Sequence, residues 1–288
     1  MVIEPELKFV VCAHPGGLHR LAYWEWLPAG NARTAPRVVC VHGLTRNGRD
    51  FDTLASTLVT AGYHVVAPDM VGRGRSDRML DTNLYSIPQY VSDCITLIAR
   101  LDTDRVHWVG TSMGGLIAMG IASMPGSPID RLVLNDVGPV LSAEGLARIK
   151  TYVGLDPRFA SFDEAEAALR VAMQSFGPHT DSEFRLLSRH FVVNKGEQWG
   201  FHYDPAIAKP FHAGYTGEDV LLWPLYDAID VPTRVLRGAQ SDLLPESVAT
   251  AMTERGPRAD LVVFDGVGHA PTLIHEDQVR AVQEFLDA

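Results

Sequence analysis

Cysteine is scarce in this sequence and follows no pattern typical of a disulfide framework or a metal site. The 288 residues include three cysteines, Cys12, Cys40 and Cys94, widely spaced and without a C-x-x-C pair. We therefore expect buried free thiols in a reducing compartment. The sequence also lacks an H-x-x-x-H pair, so no metal centre is predicted.

Positive charge and long hydrophobic runs are also lacking. Lysine and arginine number 25 against 35 aspartates and glutamates, which gives a net charge of −10. This balance disfavours binding to nucleic acid and docking on an anionic membrane. The longest apolar run, 116–124, is too short to span a bilayer, and residues 1–6 lack the basic and apolar regions of a secretory signal. We expect a cytoplasmic protein.

Glycines are frequent, but they do not form a dinucleotide-binding pattern. No G-x-G-x-x-G follows a predicted strand, and Gly72 and Gly74 stand in a loop without the third glycine. No cofactor is therefore predicted. Length and a hydrophobic content of 46% suit one globular domain with an inserted lobe.

Apolar strands alternate with amphipathic helices over most of the chain, which predicts an α/β fold with a parallel sheet and crossover helices. The alternation stops after residue 138 and resumes near residue 230. The segment between contains helical patterns and aromatic loops. We therefore predict a core domain of residues 1–138 and 230–288 and a helical lid of residues 139–229.

The stretch from Gly110 to Gly114 reads G-T-S-M-G and lies between an apolar strand and a helix. This is the G-x-S-x-G pattern of a nucleophile elbow, in which a sharp turn exposes a serine hydroxyl. A Cβ at either glycine would collide with the turn. Ser112 is the predicted nucleophile.

A serine hydroxyl needs a base, and the base should lie in a loop after the carboxyl end of a strand. Of the eleven histidines, His42 and His269 occupy such loops. His269 follows the last predicted strand in a flexible G-x-G-H loop, and we take it as the base. His42 is expected to brace the turn at Gly43.

The acid that orients the base has two serious candidates. Asp242 follows the penultimate predicted strand, and Asp136 follows the strand before the lid. Asp242 is preferred because the order Ser-Asp-His then has its acid on the penultimate strand; Asp136 would instead cap a turn at the lid hinge. Asp69 also ends a strand, but on the side of the elbow away from His269.

Two backbone N–H groups should bind the oxyanion that forms on a carbonyl under attack. The amide of Met113 follows the nucleophile directly, and the amide of Leu44 lies in the loop after an early strand. Both residues are therefore predicted substrate contacts through their backbone.

Taken together, these segments resemble the α/β-hydrolase fold family, and the resemblance covers nearly the whole chain. It rests on five stretches in this order: His42-Gly43, 72–77, 110–115, 238–242 and Gly268-His269. The family implies an eight-stranded, mostly parallel sheet, a helical cap between strands six and seven, and an ester hydrolase without a cofactor. Some members carry the acid after strand six, which keeps Asp136 open. Ser112 argues against the dehalogenases and epoxide hydrolases, which have aspartate there.

The sequence therefore predicts a serine hydrolase that cleaves a small-molecule carboxylic ester or lactone; it is compatible with a homo-oligomer but does not specify one. Aromatic residues of the lid suggest a hydrophobic pocket, although we expect most of them to form the core of the lid: Tyr152, Phe159, Phe176, Phe184, Trp199, Phe201, Tyr203, Phe211, Tyr215 and Trp223. One alternative is a carbon–carbon bond hydrolase, whose anionic substrate would need a cation such as Arg46, Arg189 or Lys195. Another is a non-catalytic receptor.

Overall fold

The computed structural model describes residues 3–30 and 33–288. The expectation of no secretory signal rests partly on Met1 and Val2, which lie outside the described residues. Within the described part of the chain, every helix is too short or too polar to cross a membrane.

Twelve strands are found among the described residues, and eight of them form one sheet. In chain order the strands are β1 (Glu6–His14), β2 (Gly17–Trp26), β3 (Arg37–Val41), β4 (His64–Asp69), β5 (Val106–Thr111), β6 (Ile129–Asn135), β7 (Val140–Leu141), β8 (Val192–Asn194), β9 (Trp199–Phe201), β10 (Val220–Leu221), β11 (Thr233–Gly238) and β12 (Asp260–Phe264). The order across the main sheet is β1-β2-β4-β3-β5-β6-β11-β12. Strands β1, β2 and β4 pair antiparallel, and all other pairs of this sheet are parallel. The predicted eight-stranded, mostly parallel sheet is confirmed.

Ten α-helices accompany these strands in the described residues. They are α1 (Asp52–Thr60), α2 (Ile87–Arg100), α3 (Met113–Ala122), α4 (Ala143–Tyr152), α5 (Phe162–Ala172), α6 (Asp181–Ser188), α7 (Ala208–Gly214), α8 (Trp223–Asp227), α9 (Glu246–Met252) and α10 (Glu276–Asp287). The central strands β3 and β4 are mostly apolar and are buried over almost their whole length because helices cover both faces of the sheet. Two apolar clusters, one on each face, form the core.

Segment 139–229, which separates β6 from β11, contains α4 to α8 and four short strands. Strands β7 and β10 form one antiparallel ribbon and β8 and β9 another. Sequence patterning did not indicate these ribbons, because two or three residues are too few to show the alternation of a strand. The helices of this segment begin at side-chain caps where the sequence supplies them, as at Ser161 and Thr180.

The carboxyl ends of the parallel strands bring four distant parts of the chain to one edge of the sheet. Ser112 follows β5, Asp136 follows β6, Asp242 lies in the turn after β11, and His269 lies in the loop after β12. Because β5, β6, β11 and β12 are consecutive in the sheet, β6 lies next to the serine strand and β11 lies one position further away.

Candidate active site

Ser112 lies at a strained turn between β5 and α3. Its φ of 51° and ψ of −112° belong to a region that residues with a side chain rarely adopt. A Cβ added to Gly110 would lie 2.4 Å from the carbonyl oxygen of Gly114, and one added to Gly114 would lie 2.0 Å from the carbonyl oxygen of Val41. Glycine is therefore required on both sides of the serine, and the turn has the geometry expected of a nucleophile elbow.

The side chains of Ser112, His269 and Asp136 form a continuous hydrogen-bonded chain. Nε2 of His269 lies 3.0 Å from Oγ of Ser112, and Nδ1 lies 2.7 Å from Oδ2 of Asp136. When Nδ1 carries the ring proton and donates a hydrogen bond to the carboxylate, Nε2 is free to accept the serine proton. Asp136 is fully buried, and His269 is nearly so. The structure thus brings together the predicted serine and histidine.

Asp242, the preferred acid of the sequence analysis, does not contact His269, and that prediction is wrong. Its carboxylate accepts hydrogen bonds from Nε and Nη2 of Arg148 on α4, the latter at 2.8 Å. Burial raises the pKa of Asp242, but the hydrogen bond and the charge of Arg148 outweigh burial, so the net shift is downwards. Asp242 is therefore an ionised partner of an arginine of segment 139–229.

Hydrogen bonds from the turn after β11 hold Asp136 as the acid beside the histidine. Asp136 directly follows β6, which adjoins the strand that carries the serine, and its φ of 55° turns the backbone sharply at that point. The carboxylate also accepts a hydrogen bond from the amide of Gly238 at 2.9 Å and one from the hydroxyl of Ser241 at 2.6 Å. The turn after β11 thus binds the carboxylate of Asp136, and its own carboxylate, Asp242, does not bond to the histidine.

The backbone amides predicted to bind an oxyanion lie on either side of the serine. Met113 is the first residue of α3, where an N–H group has no acceptor within the helix. Leu44 lies in the turn after β3, and Gly43 beside it is close enough that an added Cβ would stand 3.8 Å from the Cβ of Ser112. The hydrogen bonds found among the described residues use neither amide. Both amides are therefore free to donate to a ligand.

Arg73 holds the two residues that carry these amides. Its Nε donates to the carbonyl oxygen of Leu44 at 2.8 Å, and Nη2 lies 3.6 Å from Sδ of Met113. Nη1 donates to the carbonyl oxygen of Val71 and to the hydroxyl of Tyr90, each at 2.7 Å. The side chain is almost completely buried. Sequence reasoning treated Arg73 only as part of a loop. The pattern that could have indicated its role is an arginine between two glycines shortly after a buried strand.

His42 braces the turn at Gly43, as the sequence analysis expected. Its Nδ1 donates to the carbonyl oxygen of Gly43 at 2.7 Å, and Nε2 accepts from the amide of Met70 at 2.9 Å. Burial lowers the pKa of His42 to about 3, and the positive charges of Arg73 and Arg46 lower it further, against the effect of the Gly43 hydrogen bond. His42 is therefore neutral in the folded protein near pH 7.

Two cavities open at Ser112. The first cavity has a volume of about 420 Å³ and includes the serine, His269 and residues from α4, α5 and β9 in its lining. The second cavity has a volume of about 340 Å³ and lies between the serine, α3, α4 and α7. Both are of the size of ligand pockets in proteins.

Most of the aromatic residues singled out in segment 139–229 line one of these cavities, contrary to the expectation that most would only form its core. The first cavity is lined by Tyr152, Phe159, Phe176, Phe201 and Tyr203, and the second by Phe211 and Tyr215. These aromatic side chains both pack in the interior of the segment and line a cavity, because the interior of the segment forms the cavity walls.

The cations suggested as anchors for an anionic substrate are all paired with carboxylates. Arg46 donates to Asp50 from Nε and Nη2 and also donates to the carbonyl oxygen of Leu187. Arg189 bonds to Asp52 and Lys195 to Asp156, each at 2.8 Å. Arg46 lines the first cavity together with a second arginine, Arg148, which sequence reasoning missed because its position on α4 carries no motif.

One cluster could hold a metal ion in principle. The ligand atoms of Cys12, His19 and Asp93 lie within 4.8 Å of one another, and all three residues are buried. Nε2 of His19 and the amide of Gln89 already bond to the two oxygens of Asp93, at 3.0 and 2.8 Å. Burial raises the pKa of Cys12 to about 12, and the charge of Asp93 adds to this. The cluster is thus a hydrogen-bonded core group with a neutral thiol; all three cysteines are free and buried, as expected.

Comparison with known proteins identifies the family. Residues 38–285 match the Alpha/beta hydrolase family. The chain belongs to the alpha/beta hydrolase family. Ser112, Asp136 and His269 all lie in the matched range. The resemblance seen in the sequence is thereby confirmed.

Several individual hydrolases are similar to this chain over most of their lengths. A 3-hydroxybutyrate-oligomer hydrolase of Cupriavidus necator is 46% identical over 99% of both chains. The crystal structure of an alpha/beta hydrolase from Novosphingobium aromaticivorans has a TM-score of 0.88 at 36% identity, covering 100% of this chain and 99% of the other. An esterase of Mycobacterium tuberculosis is 29% identical over 88% of this chain and 82% of its own.

Proposed function

We propose that Ser112, His269 and Asp136 form the catalytic triad of a carboxylic ester hydrolase that acts on oligomers of 3-hydroxybutyrate. The enzyme is a hydrolase of the carboxylic ester class. The observation that carries the proposal is the hydrogen-bonded chain from Asp136 through His269 to Ser112, beside two free backbone amides and two cavities. Similarity to the Cupriavidus enzyme supports the choice of substrate.

In the proposed reaction, Ser112 attacks the ester carbonyl while Nε2 of His269 takes the hydroxyl proton. The amides of Leu44 and Met113 donate to the oxyanion, and Asp136 stabilises the imidazolium. His269 then returns the proton to the leaving alcohol, which leaves an acyl group on the serine. Water, activated by the same imidazole, releases the acyl group as a carboxylic acid. The substrate is a small molecule, and no step requires a cofactor.

Segment 139–229 is proposed to act as a lid over the serine. Support comes from the cavity linings, since α4, α5 and β9 contribute to the first cavity and α4 and α7 to the second. A covering of this kind excludes water until the acyl group has formed. A cytoplasmic location is also proposed, because the three cysteines are free and buried.

A fluorophosphonate probe and two ester substrates test the proposal. We expect the probe to phosphonylate Oγ of Ser112 with loss of HF, identified by the added phosphonyl mass on its peptide in mass spectrometry. We also expect hydrolysis of p-nitrophenyl butyrate and of the linear 3-hydroxybutyrate dimer, both lost in Ser112→Ala. An unlabelled Ser112 in the folded protein would refute the triad. Cleavage of the butyrate but not of the dimer would refute the substrate while leaving the triad intact.

The same assay distinguishes the two alternatives of the sequence analysis. A carbon–carbon bond hydrolase would turn over a coloured dienoate faster than the esters. A receptor would bind its ligand with negligible turnover, and binding would not change in Ser112→Ala. Arg46, Arg189 and Lys195 are paired with carboxylates. Arg148, also paired with a carboxylate, lines the first cavity and is available to an anionic substrate of either class, so the relative rates on the dienoate and the esters decide between the two.

A further inference from the structure

The position of Ser112 between two cavities gives an ester two separate places for its two halves. The first and second cavities share Leu44, Ser112 and Ile149 in their linings. An ester attacked by the serine has an acyl group on one side of the carbonyl and an alcohol group on the other. The two halves can therefore extend in different directions from the serine.

The position of His269 indicates which half enters which cavity. His269 lines the first cavity, whereas Met113 lines the second. The histidine must lie within hydrogen-bond reach of the alcohol oxygen to which it returns the proton. The leaving alcohol therefore extends into the first cavity, and the acyl group extends into the second.

Charge distinguishes the two cavities. The described residues that line the second cavity carry apolar and hydroxyl side chains and no charged one. The first cavity includes two arginines, Arg46 and Arg148, and one carboxylate, Asp50. Arg46 is 10% exposed at its side chain, is paired with Asp50, and also bonds to a backbone carbonyl. Arg148 is 31% exposed and is the arginine that a ligand in the cavity can reach.

The guanidinium of Arg148 is held in place and keeps part of its donor fork available. Asp242 accepts from Nε and Nη2, and Tyr152, which also lines the cavity, hydrogen-bonds to the same guanidinium, so that part of its five-donor fork remains for another acceptor. The lining of the first cavity does not include Asp242, and its two hydrogen bonds orient the arginine. A planar fork fixed in this way suits a carboxylate.

We propose that Arg148 binds the free carboxylate of the leaving hydroxybutyrate unit and so directs cleavage to the carboxyl end of the oligomer. The alcohol half of a linear 3-hydroxybutyrate ester ends in a carboxylate, and the acyl half ends in an uncharged hydroxyl. The charged end then enters the cavity that contains the arginine, and the uncharged end enters the apolar cavity. This inference rests on the proposed function, because it assumes ester cleavage by Ser112 and an oligomeric substrate.

The test compares three substrates that differ in charge at the alcohol end. They are the 3-hydroxybutyrate dimer as free acid, the same dimer capped as a carboxamide, and p-nitrophenyl butyrate. We expect the wild-type enzyme to prefer the acid to the carboxamide in kcat/KM. Arg148→Gln should raise KM for the acid by roughly tenfold or more while kcat/KM on the two uncharged substrates changes little. Arg148→Lys should restore part of the affinity for the acid.

A matched control is available in Arg255, which donates to Asp227 from Nε and Nη2 in the same fork geometry but lies outside both cavities. Arg255→Gln should leave the ratio of acid to carboxamide unchanged. An equal loss on all three substrates in Arg148→Gln would show that the arginine is only structural and would overturn the proposal. An unchanged ratio in that variant would overturn it as well.

The assignment of the acyl half to the second cavity has its own readout. Leu116 on α3 lines the second cavity and not the first. Leu116→Trp should therefore lower kcat/KM on p-nitrophenyl hexanoate more than on the acetate. Equal effects on the two chain lengths would refute the assignment. Failure of the proposed function would look different, since the wild-type enzyme would then cleave neither dimer.

Discussion

Removing the charge of Asp136 is the sharpest test of how the histidine is oriented. In Asp136→Asn, the side chain still fits the space, but its amide nitrogen cannot accept a hydrogen bond from His269. If the remaining oxygen accepts from Gly238 as Oδ1 now does, the amide nitrogen faces Nδ1 of the histidine. The ring then has to present Nδ1 as an acceptor and place its proton on Nε2, which can no longer accept from Ser112.

The expected loss of kcat is large because no water molecule from solvent can reach the histidine in place of the buried carboxylate. Asp136 is completely buried, with the histidine at 2.7 Å and the hydroxyl of Ser241 at 2.6 Å. A wrong histidine tautomer at such a site lowers kcat by about 10⁴, which corresponds to about 5 kcal/mol of transition-state stabilisation. The free energy of unfolding should fall by about 2 kcal/mol, since one charge-assisted hydrogen bond is replaced. The variant should therefore fold.

Asp242→Asn is the matched comparison, because Asp242 was the acid expected from the sequence. Its side chain is 24% exposed and its partner Arg148 is 31% exposed, so the pair contributes about 1 kcal/mol or less to stability. On p-nitrophenyl butyrate, which has no carboxylate, kcat should stay within about threefold of wild type. On the free-acid dimer, KM should rise because the guanidinium of Arg148 loses its fixed orientation.

The assay is steady-state hydrolysis of p-nitrophenyl butyrate, with urea unfolding of each variant to verify that it is folded. A large kcat loss in Asp136→Asn and a small one in Asp242→Asn is the expected outcome. The opposite pattern, with Asp136→Asn within tenfold of wild type and Asp242→Asn severely impaired, would show that the orientation of the histidine described above is not the one used in catalysis.

Three further changes test other parts of the site. Ser112→Ala should lower kcat by roughly 10⁴ to 10⁶ with little change in thermal stability, and retained activity would mean that another nucleophile acts. Gly110→Ala should lower the free energy of unfolding by about 3 kcal/mol because of the clash in the elbow, measured by urea unfolding; Gly214→Ala, with no atom within 4 Å, should be tolerated. The unfolded chain protonates His42 near pH 6.5 and the folded protein near pH 3, so wild-type stability is retained above about pH 6.5 and falls by about 1.4 kcal/mol per unit as pH decreases towards 3. In His42→Asn this contribution should be absent, and an identical pH dependence of unfolding in both proteins would contradict it.

The sequence by itself determined the fold class and predicted the serine and the histidine that the structure brings together. Buried parallel strands must be apolar throughout, and this pattern marks them in β3 and β4. The elbow at Ser112 could be found because a turn between strand and helix that exposes a hydroxyl requires glycine at two fixed neighbouring positions. His269 could be found because it follows the last strand of an alternating pattern.

Only the tertiary structure decided which acid meets the histidine, and which arginine faces the first cavity. Asp136 and Asp242 both follow the carboxyl end of a parallel strand, so the sequence pattern around them does not show which one contacts the histidine. The choice between them depends on side-chain contacts: Asp136 bonds to His269 and is held by Gly238 and Ser241, whereas α4 places Arg148 beside Asp242. Contacts between residues about a hundred positions apart depend on strand order and side-chain direction, and neither leaves a local pattern in the sequence.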